Sequence, residues 1–305
     1  MQKVIVICGP TASGKTALSI ELAKRINGEI VSADSMQIYE EMSIGTAKPD
    51  EEEMQGIKHY LVGNVPPTKR YSVSDYKNDA MEALQQIIQN KKMPIVVGGT
   101  GLYVNSLIYG IDYPEIETDL EYRQELEKIA NEKGLAFLYE MAQKIDKDAM
   151  KNISTNDKKR IIRVLEIYKE TGKTKTQLEI ESRQNGIPYD YRTFAINMPR
   201  EILYDRINKR VDIMIEKGLI EEVDRLYKKY GEKLSTSVQG IGYKEVIDYF
   251  NGKYTKEEMI EKIKMETRRY AKRQLTWFKK IPNIIWLNGL DDVQNNINII
   301  LEGLE

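Results

Sequence analysis

Short β-branched runs alternate with stretches of helical period over the first hundred residues. Val4-Ile5-Val6-Ile7 is uninterrupted and apolar, which predicts a strand buried on both faces. Ala17, Leu18, Leu22 and Ala23 then follow the period of one helix face. Glu29-Ile30-Val31-Ser32 predicts another strand, ending at Ala33-Asp34-Ser35, and Ile95-Val96-Val97 another, running into Gly98-Gly99-Thr100-Gly101. Between them a helix is predicted over Ser74–Asn90, with Ser74 as its cap and Lys91-Lys92-Met93-Pro94 closing it. Tyr60-Leu61-Val62, preceded by His59, reads as a short strand. Strands alternating with helices imply the α/β class: a parallel sheet flanked by helices.

The pattern changes near Ile111. From Glu115 to about Ile180 the chain is charged, helical in period and almost free of β-branched runs, and Arg192-Thr193-Phe194-Ala195-Ile196-Asn197 reads as a strand again. The economical division is a core over 1–113, a mostly helical insertion over 114–190, and a return to the core over 191–305 that is helical after Pro199.

Composition narrows the chemistry. With 46 Lys and Arg against 47 Asp and Glu, the net charge is −1, so any affinity for nucleic acid must come from local basic patches. One Cys and one His exclude an internal disulfide and a Cys/His zinc site, while an all-carboxylate metal site stays open. No apolar run approaches the ~18–20 residues of a membrane span. The first motif begins at Gly9, which leaves no room for a cleavable signal peptide before it. A cytoplasmic protein is expected.

Gly9-Pro10-Thr11-Ala12-Ser13-Gly14-Lys15-Thr16 fits G-x-x-x-x-G-K-[ST] between a predicted strand and helix, the context of a phosphate-binding P-loop. Its backbone N–H groups form an anion-binding concavity at a helix N-terminus, Lys15 adds a point charge, and the Thr16 hydroxyl can hold Mg²⁺. The motif alone favours a nucleotide hydrolase or a small-molecule kinase. Against these, the strand before Gly98-Gly99-Thr100 ends without a carboxylate. The strand-terminal acid is Asp34, at the sheet edge where open α/β folds bind ligands. It can accept a proton, cap the next segment or hold metal through water, and Gln37 can read a base edge.

These segments together resemble the tRNA dimethylallyltransferase (tRNA isopentenyltransferase) family. The resemblance rests on residues 9–16, Ser-Ala-Asp-Ser-Met-Gln-Ile-Tyr at 32–39, Ile-Gly-Thr-Ala-Lys-Pro at 44–49 and Val-Gly-Gly-Thr-Gly-Leu-Tyr at 97–103. It continues through Asn156-Asp157 with Lys159, Arg160 and Arg163, Leu165-Glu166, Thr171-Gly172-Lys173, Ile-Gly-Tyr-Lys-Glu at 241–245 and Ala-Lys-Arg-Gln-Leu-Thr-Trp-Phe at 271–278. The resemblance implies a P-loop that holds dimethylallyl diphosphate, and transfer of its prenyl group to the adenine 3′ of the anticodon. Asp34 is then the general base, with Thr11, Lys15 and Arg210 completing the catalytic set. Asp34, Ser35, Met36, Gln37, Thr100, Arg123 and the stretch Lys159, Arg160, Ile161, Ile162, Arg163 are expected at the tRNA or substrate. The insertion is expected to contact the anticodon stem-loop, Thr16 to hold Mg²⁺, and the enzyme to act as a monomer.

Two departures stand out. Many relatives continue Tyr-Arg-Gly where this chain has Tyr39-Glu40-Glu41, and Lys159 stands where Gln is common. Near the C-terminus Lys262, Lys264, Arg268, Arg269, Lys272, Arg273, Lys279 and Lys280 face Glu266 alone. Arg269, Lys272 and Arg273 are the residues expected to track RNA phosphates, while Tyr270, Trp277 and Phe278 either stack on bases or pack inward. Arg160, Arg163 and Glu166 share a helical face, and spacing alone suits an intrahelical ion pair. His59 and Cys8 are expected to be structural. The competing activities are prenyl transfer to free AMP, ADP or ATP, phosphate transfer by a P-loop kinase, and RNA binding without catalysis.

Overall fold

The computed structural model describes residues 1–114, 119–234 and 236–304. Its backbone divides into two compact units, Met1–Asn105 with Pro188–Glu305, and Ser106–Ile187.

The first unit is built on a six-stranded parallel sheet: β1 (Lys3–Cys8), β2 (Gly28–Ser32), β3 (His59–Tyr60), β4 (Met93–Gly98), β5 (Asp190–Asn197) and β6 (Ile285–Asn288), in the order β3-β2-β4-β1-β5-β6. Central β1 is buried from Val4 to Cys8, as a strand covered on both faces must be. Ile5, Ile7, Ile30, Ile95, Phe194, Ile196 and Leu287 of the sheet meet Leu18, Leu22, Ile297 and Ile300 of the flanking helices in one core. Each such side chain contributes ~1.5–3 kcal/mol on full burial.

The chain reaches the sheet through α1 (Lys15–Ile26), α2 (Glu51–Met54), α3 (Val73–Gln89) and α4 (Gly101–Ile108). Ser72, not Ser74, caps α3: its hydroxyl accepts from the Asp75 amide and the Asp75 carboxylate accepts from the Ser72 amide. A reciprocal capping box outcompetes a single cap two residues further on. The strand expected at 60–62 is shorter and lies at the sheet edge over His59–Tyr60, because Leu61 takes φ +60.

The second unit contains α5 (Leu120–Lys133), α6 (Leu135–Ile145), α7 (Lys147–Met150), α8 (Lys158–Thr171) and α9 (Lys175–Gln184). Leu126, Leu138, Ala142, Met150, Ile161, Ile162, Val164 and Leu165 form its core. Asp146, 4% exposed, caps α7 through the Ala149 amide and accepts from the Thr176 amide and hydroxyl, which ties α9 to α7.

The chain returns to the first unit with β5, then α10 (Arg200–Glu216), α11 (Leu219–Tyr230), α12 (Tyr243–Phe250), α13 (Lys256–Phe278), β6 and α14 (Val293–Glu302). The run expected to be helical after Pro199 therefore includes the edge strand β6. Its four residues carry too short a pattern to betray a strand.

Candidate functional site

The carboxyl ends of β1, β2 and β4 lie side by side: Cys8 is in register with Gly98 and Ser32 with Val97. The segments leaving those ends carry Gly9–Thr16, Asp34–Gln37 and Gly99–Thr100, so the three motifs that the sequence separates by up to ninety positions share one edge.

The 9–16 loop turns directly into α1. Gly14 takes φ +92, a left-handed conformation that glycine adopts without the strain of a Cβ, and no side chain caps the helix. The first amides of α1 therefore face outward with the positive end of the helix dipole. The Ser13 hydroxyl is buried and has no hydrogen-bond partner among the described residues. Lys15 donates to the Pro10 carbonyl at 2.7 Å. Burial pushes its ammonium down to about 8; Asp34 and Cys8 raise it and Arg210 lowers it further.

Asp34 is half-buried. Its Oδ1 accepts from the Met36 amide at 2.9 Å and the Gln37 amide at 3.2 Å, which fixes the carboxylate at the strand end. It interacts electrostatically with both Lys15 and Arg210, so the acid and the two cations share one field. Arg210 projects from α10; burial lowers its pKa, opposed by Asp34 and Glu53, and its guanidinium donates to the Ala47 carbonyl at 3.5 Å. Gln37 donates through Nε2 to the Thr46 and Ala47 carbonyls at 3.2 and 3.0 Å. Thr100 receives the Ser35 amide at 3.0 Å and donates to the Ser35 hydroxyl at 3.3 Å. Thr16 is exposed at the start of α1, and Met36 is half-buried beside Gly240.

Gln274, quoted above only inside a longer motif, sits at the centre of this edge. It is 4% exposed, accepts from the Thr11 amide at 2.9 Å and donates to the Gly99 carbonyl at 2.9 Å, bridging two of the three loops. Tyr270 lies beside Thr100, Gln274 and Asp34 on the same side. A signal for Gln274 existed: it shares the buried stripe of α13 with Ala271 and Phe278, where an amide requires partners.

The aromatic residues of α13 pack inward. Phe278 is fully buried, and Trp277 packs against Gly101. Arg269, Lys272 and Arg273 are exposed; Arg269 pairs with Glu266 at 2.7 Å and Arg273 lies over the Tyr270 ring at 5.8 Å. Lys264 pairs with Asp212 and Glu261, so part of the basic run is neutralised.

In the helical unit, Ile161 and Ile162 are interior residues, at 0% and 2% exposure, because they lie on the apolar stripe of α8; neither side chain faces a partner. Lys159 and Arg160 are exposed, and Arg160 pairs with the cap residue Asp157 at 2.7 Å. Arg163 and Arg123 flank the buried Glu166, each at 3.6 Å, so that carboxylate serves two helices rather than one intrahelical pair.

His59 is bonded to the Ile57 carbonyl at 2.8 Å, and burial lowers its pKa. Cys8 is buried, which pushes its thiol up to about 12. Glu41 takes φ +59; its carboxylate accepts from Tyr230 at 2.6 Å and Lys229 at 2.9 Å. No described helix is long and apolar enough to cross a membrane.

A family model described as IPP transferase matches residues 37–281. The chain is 51% identical over 300 residues to the tRNA dimethylallyltransferase of Acetivibrio thermocellus, covering 98% of this chain and 96% of that one. The crystal structure of the full-length tRNA isopentenylpyrophosphate transferase of Bacillus halodurans is 43% identical, with a TM-score of 0.74 over 100% of this chain and 97% of that one. A eukaryotic dimethylallyltransferase, described in crystallographic snapshots as acting on tRNA, is 32% identical with a TM-score of 0.78, over 95% of this chain and 75% of that one. A P-loop edge with an acid at the second strand, carried on a sheet and sequence shared almost end to end with these enzymes, leads to one assignment: the chain belongs to the tRNA dimethylallyltransferase family.

Proposed function

We propose that this chain transfers the dimethylallyl group of dimethylallyl diphosphate to the N6 amine of the adenine 3′ of the anticodon in tRNA, releasing diphosphate. The observation that carries the reading is the electrostatic grouping of Asp34 with Lys15 and Arg210 at one strand edge. A desolvated cation pair suits a departing diphosphate, and a carboxylate beside it suits an amine that must lose a proton.

In this reading the amides at the start of α1, the Ser13 hydroxyl, Lys15 and Arg210 bind the diphosphate, while the Thr11 amide is held by Gln274. As the allylic carbon–oxygen bond breaks, negative charge grows on the leaving oxygen and the two half-buried cations stabilise it. One preorganised donor of this kind contributes roughly 3–4 kcal/mol in well-studied sites. The adenine nitrogen attacks the allylic carbon and becomes acidic as its new bond forms. Asp34 takes the proton; since Oδ1 holds the turn amides, Oδ2 is the oxygen assigned to this step. Hydrogen-bond reach to that nitrogen suffices.

Among the described residues no group of three or more His, Cys, Asp or Glu could hold a metal. Mg²⁺ is commonly held through substrate phosphates, water and one protein oxygen, and the exposed Thr16 hydroxyl fits that last role. When bound it would offset diphosphate charge. The target adenine must leave the stacked loop, at a few kcal/mol. Ser35, Gln37 and Thr100 are assigned to the base. The 114–190 segment is assigned to the anticodon stem-loop through Arg123, Lys159, Arg160 and Arg163, and Arg269, Lys272 and Arg273 of α13 to phosphates. The enzyme is taken to work as a cytoplasmic monomer.

Incubation with labelled dimethylallyl diphosphate, Mg²⁺ and unmodified tRNA tests the reading. Label should appear on the adenine 3′ of the anticodon. Label on free AMP, ADP or ATP instead would overturn the acceptor, and phosphate transfer from ATP would overturn the reaction.

A further inference from the structure

The 43–48 segment carries no residue assigned above, yet its carbonyls hold two that are. Ala47 O accepts from Gln37 and Arg210, and Thr46 O from Gln37. The shape of this segment is set from α11. Glu222 is 2% exposed, and its Oε2 accepts from the Ser43 amide at 3.0 Å and the Ile44 amide at 2.9 Å. Its Oε1 accepts from the Gly45 amide at 3.1 Å and the Tyr243 hydroxyl at 2.6 Å. Three successive amides on one carboxylate form an anion nest filled by the protein's own charge. The Tyr243 ring occupies the space a Cβ on Gly45 would need, 2.5 Å away. Farther along α11, Lys229 and Tyr230 hold Glu41, two residues before the segment.

We infer that Glu222 is a positioning residue for the transfer site: its carboxylate folds the 43–48 segment so that the Ala47 carbonyl aims Arg210 and Gln37. Removing the charge releases the nest, and the carbonyl is no longer held under the guanidinium. The inference rests on the reading of Arg210 as a diphosphate ligand. It separates Glu222 from a residue that merely stabilises α11, because the effect must pass through Arg210.

The test is a double-mutant cycle of Glu222→Gln and Arg210→Ala in the full chain, reading KM for dimethylallyl diphosphate, with tRNA affinity and thermal melting alongside. Glu222→Gln keeps the shape of the side chain but sets an amide donor against backbone donors. It should raise KM about tenfold or more when Arg210 is present, and less than about twofold when Arg210 is already Ala, the non-additivity of groups acting as a unit. Affinity for tRNA, dominated by phosphate contacts, should stay within about twofold. Equal KM ratios in both backgrounds, or an unchanged KM in a folded Glu222→Gln protein, would overturn the inference. Should Glu222→Gln fail to fold, Tyr243→Phe removes one of the four donors and replaces it in the cycle, with a KM rise of about threefold expected; an additive result there overturns the inference equally. A wild-type protein that transfers no prenyl group overturns the assigned reaction first, whereas an active wild type with an additive cycle overturns only the role of Glu222.

Discussion

Two loops in the same unit present consecutive backbone amides to negative charge, and they differ in where that charge comes from. At 43–45 the acceptor is Glu222, which takes all three amides and a tyrosine hydroxyl. At 9–16 no side chain caps the helix, the buried Ser13 hydroxyl has no partner among the described residues, and the Lys15 ammonium is carried at a desolvation penalty. A nest satisfied from within is scaffold. A nest whose donors the chain itself does not satisfy is built for an anion from solution. The first makes one loop rigid so that the second can act.

Asp34 belongs to both classes through different oxygens, and the largest effect is expected there. Asp34→Asn keeps the Oδ1 acceptor for the Met36 and Gln37 amides and removes the base. Turnover should fall by about 10²–10⁴-fold, the span of general-base contributions, with melting and tRNA affinity nearly unchanged. A single-turnover assay beside a tRNA-binding assay checks it; parallel losses in both would reduce Asp34 to a turn residue.

Lys15→Met should follow, lowering kcat/KM by about 10²–10³-fold, as removal of one preorganised donor does. The same change should raise the melting temperature. The folded pKa, about 8, lies below the ordinary 10.5. The charged form is therefore disfavoured by folding below pH 8, and the stability gained by its removal is lost as pH rises from 8 to 10.5. Glu222→Ala should do the reverse and melt lower, since it leaves buried donors unsatisfied. Calorimetry of the two variants at neutral pH gives opposite signs if one nest is scaffold and the other site.

The sequence displayed the second nest plainly and hid the first. Gly9 to Thr16 is contiguous, and contiguity is what a motif can show. Glu222 meets Ser43, Ile44 and Gly45 across nearly 180 positions, and Gln274 meets Gly99 across 175 and Thr11 across 263. Both were visible only as polar residues on apolar helical stripes, Glu222 among Leu219, Val223 and Leu226, and such an observation names no partner. Strands β1, β2, β4 and β5 were legible because each carries a run of buried apolar residues, longest at Val4–Ile7 of β1. Edge strand β3 was read only approximately, at 60–62 where the pairing covers His59–Tyr60, and edge strand β6 was not read at all, since two and four residues carry no period. The same helical periodicity that identified α8 could not tell that Ile161 and Ile162 point inward while Lys159 and Arg160 stay exposed.

A smaller effect is expected in the pH dependence of the open nest. Binding an anion raises the pKa of Lys15, so donor affinity should be full below about pH 8 and weaken above it, by up to about tenfold per unit. KM for dimethylallyl diphosphate, measured from about pH 7 to 9.5, reads this directly. Lys15→Arg, which stays charged throughout, should flatten the rise even where it lowers activity. A wild-type KM that does not move over the range would mean that the ammonium does not meet the diphosphate.

The smallest expected effect carries the comparison to the surface of α13, where a cation is either already matched by the protein or left for a ligand. Arg269 is held by Glu266 at 2.7 Å, whereas Lys272 is exposed and makes no ion pair among the described residues. Each phosphate a cation neutralises steepens the salt dependence of log K by about 0.7–0.9. Lys272→Ala should therefore flatten the slope of tRNA affinity against log salt by about that much. Arg269→Ala should flatten it less, because the charge it removes was partly spent on Glu266, and Glu266→Gln should steepen it. Equal slopes for the wild type and Lys272→Ala would take α13 off the path of the RNA backbone, and equal changes for the two basic residues would show that an internal partner does not decide which charges a ligand can use.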